Sequence, residues 1–201
     1  MQVFINCPFD EAYQRLFDAI VFSVHDCGFS ARSALEVDDS AQVRIDKIYR
    51  IIAVCKFGIH DLSRTEPNPE TDLPRFNMPL ELGIFLGARQ YGQEEQREKR
   101  VLILDREAFR YLKFISDIRG QDIKAHHGDE RIVITLVRNW LRSALTGTGI
   151  SIPSGSLIFE RYESFKEDLP VLCAGLNLDP AELTFNDYIQ VVEEWLQDNP
   201  W

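Results

Sequence analysis

Three short stretches of this 201-residue chain combine residue types that do chemistry with a spacing that can gather them in one place. Asn6-Cys7-Pro8-Phe9-Asp10 follows a short apolar run, Gln2 to Asn6. His60-Asp61-Leu62-Ser63-Arg64 closes another such run, Cys55 to Asp61. Pro79-Leu80-Glu81-Leu82-Gly83 opens a helical stretch behind a proline-rich loop. If the two runs are parallel strands of one sheet, all three stretches reach its carboxyl edge, where open α/β sheets bind their ligands. Glu81 is the leading candidate. Its carboxylate sits in the first turn of a helix between Leu80 and Leu82, and Gly83, Gly87 and Ala88 keep one side of that helix small enough for a ligand or another backbone to come close. A glutamate there also simply complements the helix dipole, so its neighbours decide what it does. Asp61 and Ser63 end the adjacent strand and are expected near the same spot. Arg32, Arg64 and Arg75 carry forks suited to phosphate. Phe9 and Phe76 either stack on a base or anchor the core. His60 reads as a core histidine, and the adjacent His126 and His127 as part of a polar loop.

The elements that must position these residues follow from periodicity. Leu16, Phe17, Ile20, Val21 and Val24 share one helical face, with Asp10 as the expected N-cap and Gly28 as the stop. A second strand is expected over Phe29 to Leu35. Asp39 and Gln42 carry the spacing of a capping box for a helix burying Val43, Ile45, Ile48, Ile51 and Ile52. Thr65 to Pro74 is a loop by its prolines. The next helix runs from Met78 or Pro79 to Tyr91, and EEQREKR forms a solvated connection to Val101–Asp105, an apolar run typical of a strand covered on both faces. A short fifth strand is expected within Lys113 to Ile123, then an amphipathic helix, Arg131 to Leu145, with Ile132, Leu136, Val137, Trp140 and Leu141 inward. The alternation of strand and helix predicts right-handed βαβ units and an open parallel sheet of four to five strands. Thr146 to Ser156 reads as a linker. It divides a domain over 1–147 from a helical appendage over 148–201, with helices at Ile158–Glu167 and Phe185–Leu196, docked on the first domain.

Composition narrows the function. The hydrophobic share of 45% and charged share of 27% are those of a globular chain. Twenty-two basic against thirty-two acidic residues give a net charge of −10, which repels a polyanion, and no basic run offsets it. No nucleic-acid polymer is expected as a partner. No stretch is apolar enough to span a bilayer and no secretory leader is visible, so no membrane association and a cytoplasmic location are expected. The four cysteines stand singly, which argues for free buried thiols and against a metal centre.

At this point FINCPFD, IHDLSR with PLELGIFLGA, and KRVLILD resemble, in order, segments of the superfamily shared by TIR domains and nucleoside 2-deoxyribosyltransferases. The likeness covers roughly residues 1–145. It implies a flavodoxin-like three-layer fold and cleavage of an N-glycosidic bond by a glutamate on the helix after the third strand, here Glu81. The Trp and Cys that usually precede that glutamate in TIR domains are replaced by Phe76 and Asn77. The resemblance also implies that Asn6, Pro8, Phe9, Arg32, Ser63, Arg64, Phe76, Asn77 and Gly83 line the substrate, a nucleotide or dinucleotide.

Breaking the bond between ribose C1′ and a base builds an oxocarbenium-like cation that one carboxylate stabilises or captures. The nicotinamide of NAD+ is already a cationic leaving group and needs no acid, whereas a neutral base does. Asp61 fills that role if burial raises its pKa; otherwise Asp61 and Ser63 hydrogen-bond ribose hydroxyls or the loop backbone. The expectation is an NAD+ glycohydrolase that takes NAD+ as substrate with no cofactor. It would act in bacterial defence or signalling, with assembly into a homo-oligomer possible. The rivals are a nucleoside or nucleotide glycosidase or deoxyribosyltransferase, and a non-catalytic nucleotide sensor.

Overall fold

The computed structural model describes residues 1–37, 39–67 and 72–201. Five strands form one wholly parallel sheet: β1 (Gln2–Asn6), β2 (Ser30–Arg32), β3 (Phe57–Asp61), β4 (Arg100–Asp105) and β5 (Lys124–Ala125), in the spatial order β2-β1-β3-β4-β5. The fold is α/β and flavodoxin-like, with a topological switch between β1 and β3.

Alternation along the strands sorts the core into two sides. Val3, Ile5, Phe57, Ile59, Leu102 and Leu104 pack against α1 (Gln14–Asp26) and α5 (Glu130–Ala144). Phe4 faces the other side, against α2 (Arg44–Val54) and α3 (Asn77–Tyr91), while Ile103 packs there with Leu62, Met78 and Leu82. The backbone of β3 runs close against α3 at Gly58. A Cβ there would lie 2.8 Å from the Phe85 ring and 2.9 Å from His60 Nε2, so only glycine fits. Gly28, at φ +80°, ends α1 as expected.

A further layer covers α1 and α5 from outside: α6 (Gly155–Gly175) and α7 (Phe185–Asp198). Phe22 of α1 meets Tyr162, Phe165 and Trp195 at ring separations of 5.3, 5.2 and 5.8 Å. That explains why Ala19 through Val24 are buried without interruption: the sheet covers one face of α1 and the last two helices the other. The small, polar stretch before α6 is therefore no free tether. Ile152 is buried, and Arg138 donates to the Ile152 and Pro153 carbonyls.

Several boundaries differ from expectation for local reasons. Asp10 does not cap α1; its carboxylate accepts from the Tyr13 N–H in a turn before the helix, and Tyr13 is the N-cap residue. Asp39 and Gln42 do not cap α2 either. Asp39 accepts from Ala41 N–H and Gln42 Nε2, closing a separate turn, and α2 begins later, at Arg44. Val43 is consequently exposed, although Ile48, Ile51 and Ile52 are buried. The second strand shrinks to Ser30–Arg32. The segment expected to hold the fifth strand, Lys113 to Ile123, instead contains a 3-10 turn at Ser116–Ile118, just after another at Arg110–Lys113, and β5 follows it. EEQREKR contains a one-turn helix, α4 (Glu94–Arg97). The buried stripe of α5 is Val133, Ile134, Val137 and Leu141, with Leu136 and Trp140 at its margin. Helix α6 starts earlier and ends later than expected, capped by Ser154. Of the Thr65–Pro74 loop, 68–71 lie outside the described residues, and its two arms meet in a Pro67–Pro74 bridge.

Candidate active site

At the carboxyl end of β1, beside the switch point, lies a cleft of about 210 Å³. The loop after β1 supplies Asn6, Cys7, Pro8 and Phe9, α2 contributes Arg44, and the start of α3 contributes Arg75, Asn77, Met78 and Glu81. Six residues expected at the ligand therefore come together: Asn6, Pro8, Phe9, Asn77 and Glu81, with Arg75 of the three arginines named for phosphate.

Glu81 is only 6% exposed, and no hydrogen bond reaches its carboxylate from a described residue. Burial pushes its pKa up to about 7, against the pull of the Arg44 guanidinium. The carboxylate is thus desolvated, uncommitted and aimed at a concavity. The helix turn just before it is tied down by Asn6. The Asn6 amide donates to the Met78 carbonyl and to His60 Nδ1, both at 2.9 Å, and so ties the end of β1 to β3 and to the first turn of α3. Because His60 Nδ1 accepts, its hydrogen sits on Nε2, which has no partner among the described residues and abuts the Phe85 ring. Burial lowers the His60 pKa to about 3, so the imidazole stays neutral. Phe9 packs edge-on against Phe17, as a core anchor would, and also lines the cleft.

Helices α2 and α3 both start at this cleft, on Val43 and Phe76, with no side-chain cap. Helix starts leave their first backbone N–H groups without intrahelical partners, and here Arg44 and Arg75 lie beside them in the cleft lining.

The other candidates lie elsewhere. Strand alternation carries Asp61 with Phe57 and Ile59 toward α1 and α5, away from Glu81. There its Oδ2 accepts from the Tyr13 hydroxyl at 2.6 Å and lies 3.0 Å from His126 Nε2, and its Oδ1 accepts from the Ser63 N–H at 2.8 Å. Burial alone would raise this carboxyl, but the hydrogen bonds from His126, Ser63 and Tyr13 outweigh it and hold the pKa below the usual range. Asp61 is ionised and donates no proton. Ser63, His126 and Asp61 superficially compose a hydrolytic triad. However, Ser63 Oγ and Asp61 both contact Nε2, while Nδ1 accepts from the Gly128 N–H. Nε2 therefore carries the hydrogen and cannot take the Ser63 proton. This cluster fastens the loops after β3 and β5.

Arg32 is held bidentately by Glu36 on the far side of β2. Arg64 makes a bidentate pair with Asp10, both contacts at 3.0 Å. Phe76 is 58% exposed, and a Cβ at Gly83 would meet open space, so neither lines the cleft or admits a close neighbour. Sequence reasoning missed Arg44, because the helix start was placed at Asp39. It also missed Tyr13 and His126 as partners of Asp61, and Arg110, whose buried guanidinium joins Asp105 to Leu62, Thr65 and Glu66. Among the described residues no cluster of three His, Cys, Asp or Glu could hold a metal, all four cysteines are free and buried, and no helix is long and apolar enough to cross a membrane. Compared with known proteins, the chain matches no family model, no curated protein and no solved structure at a significant level.

Proposed function

We propose that the protein cleaves the nicotinamide–ribose bond of NAD+ with Glu81. One observation carries this reading: among the described residues lining the cleft Glu81 is the one carboxyl, it is desolvated, and Asp61, the residue expected to assist it as an acid, is ionised and packs on the other side of the sheet. As the C1′–N bond breaks, its electron pair neutralises the nicotinamide ring. Ionised Glu81 stabilises or captures the positive C1′. Water then adds at C1′ and loses a proton, giving ADP-ribose. A neutral base would need a proton donor beside the ionised carboxylate, and no second carboxyl stands among the described residues of the cleft. Arg44, Arg75 and the first turns of α2 and α3 suit the pyrophosphate. The volume, below the ~300 Å³ of typical ligand pockets, suits the scissile half of the dinucleotide with the remainder outside.

The test is chromatography after incubating concentrated protein with NAD+, nicotinamide mononucleotide, AMP, adenosine and inosine. NAD+ should release nicotinamide while adenosine and inosine stay intact. Cleavage of neutral-base nucleosides with NAD+ untouched would refute the choice of substrate. No cleavage of any of them would refute the enzymatic reading.

A further inference from the structure

A second feature lies toward the β5 edge of the sheet, along β4. β3 pairs with β4 from Arg100 through Leu104, but β5 pairs only with Leu104 and Asp105. Arg100 N–H donates to Lys56 O and Leu104 O accepts from Leu62 N–H, so the backbone groups of residues 100, 102 and 104 point to β3. Those of 101, 103 and 105 point outward, and the bond from His126 N–H to Asp105 O agrees. Because β5 is two residues long, the N–H and C=O of Val101 and the N–H of Ile103 have no strand partner among the described residues. Beside them, where a longer fifth strand would run, is a groove of about 500 Å³. Helix α5 walls it with Leu136, Asn139 and Trp140, and α3 walls it with Arg89. Lys124 also lines it, its charge already met by Asp122 at 2.6 Å.

We propose that this groove binds an extended peptide segment of another protein by strand addition to β4, and that the segment alternates apolar and acidic residues. Successive side chains of an added strand point to opposite faces. One set would meet Leu136 and Trp140, and the other would meet Arg89. Backbone hydrogen bonds to Val101 and Ile103 would supply the register. An open edge of this kind is normally blunted by charge or covered; here a half-buried indole flanks it.

Amide hydrogen exchange on the intact chain tests this, with a capped peptide of alternating valine and glutamate as probe and its valine–lysine counterpart as control. In the free protein Val101 and Ile103 amides should exchange much faster than those of Leu102 and Leu104. The valine–glutamate peptide should slow Val101 and Ile103 selectively, and the lysine peptide should not. Val101→Pro removes the outward N–H while sparing every β3 bond, and should weaken the peptide by about tenfold; Arg89→Glu should weaken it as well and favour the lysine peptide. The proposal is overturned if Val101 and Ile103 are already as protected as Leu102 in the free monomer, if neither peptide alters them, or if their protection follows protein concentration, which would make a second copy the occupant.

Discussion

Asn6 Nδ2 lies 2.9 Å from the Met78 carbonyl and 2.9 Å from His60 Nδ1, so one buried amide holds the first turn of α3 against two strands. Glu81 lies one turn along that helix. The turn that carries it is therefore anchored by a residue on a different element, far away in sequence. Asn6→Ala leaves a buried imidazole nitrogen and a carbonyl without donors. A loss of about 2 kcal/mol in urea unfolding is expected, together with a lowered kcat in the fraction that remains folded. Unchanged turnover would mean that Glu81 is positioned by α3 alone.

Asp61 serves as a hub for three donors, not as an acid. Asp61→Asn turns an amide toward the Tyr13 hydroxyl, the Ser63 N–H or the His126 Nε2–H, and should cost about 3 kcal/mol of stability. Below the melting transition, turnover per folded molecule should hold. A normal melting temperature with abolished base release would instead make Asp61 catalytic.

The divergence of Asp61 from Glu81 shows what was legible in the sequence. The strands β1, β3 and β4 stood out because they are continuous apolar runs, and the first turn of α3 because a proline-rich loop precedes it. Asp61 could have been assigned to the opposite side from Glu81 by period-two alternation with Phe57 and Ile59, yet proximity along the chain suggested a shared site. Arg44 was hidden because Asp39 and Gln42 imitate a capping box while closing only a turn. His126 was hidden because an adjacent pair of histidines carries no periodicity. Its role depends on Tyr13 and Ser63, which arrive from distant elements, and no local pattern encodes such a meeting. The covering of α1 by α6 and α7 left one trace, the unbroken apolar run through Phe22.

Glu81 and Asp18 both have pKa values raised by burial to about 7 from ordinary values of 4.5 and 3.8. A carboxyl raised in the folded state contributes stability that is full below its unfolded pKa and lost as pH rises through the folded value. Wild type should therefore lose stability relative to Glu81→Gln between about pH 5 and pH 8, by about 2 kcal/mol. Parallel pH–stability curves for the two proteins would show that Glu81 is not desolvated.

In the proposed reaction ionised Glu81 is the form that stabilises C1′, so kcat/KM should climb with pH and level off above about pH 7. Arg44→Gln removes the one charge that pulls this pKa down and should shift the midpoint upward. A bell-shaped profile with its falling limb near neutrality would indicate a second essential acid and contradict the single-carboxylate mechanism.

Gly58→Ala places a methyl group 2.8 Å from the Phe85 ring. Overpacking of this kind costs about 1–3 kcal/mol. Because Phe85 lies one turn beyond Glu81 on α3, the substitution should also raise KM. Thermal unfolding and steady-state kinetics report both effects.

The central claim is that one carboxylate in the β1–α3 cleft does the chemistry. Nicotinamide released from NAD+ by wild type and by Glu81→Gln, at matched folded concentrations near pH 8, tests it most directly. The account predicts steady release by wild type and a loss of at least about a thousandfold in the variant. Equal release by the two proteins would contradict it.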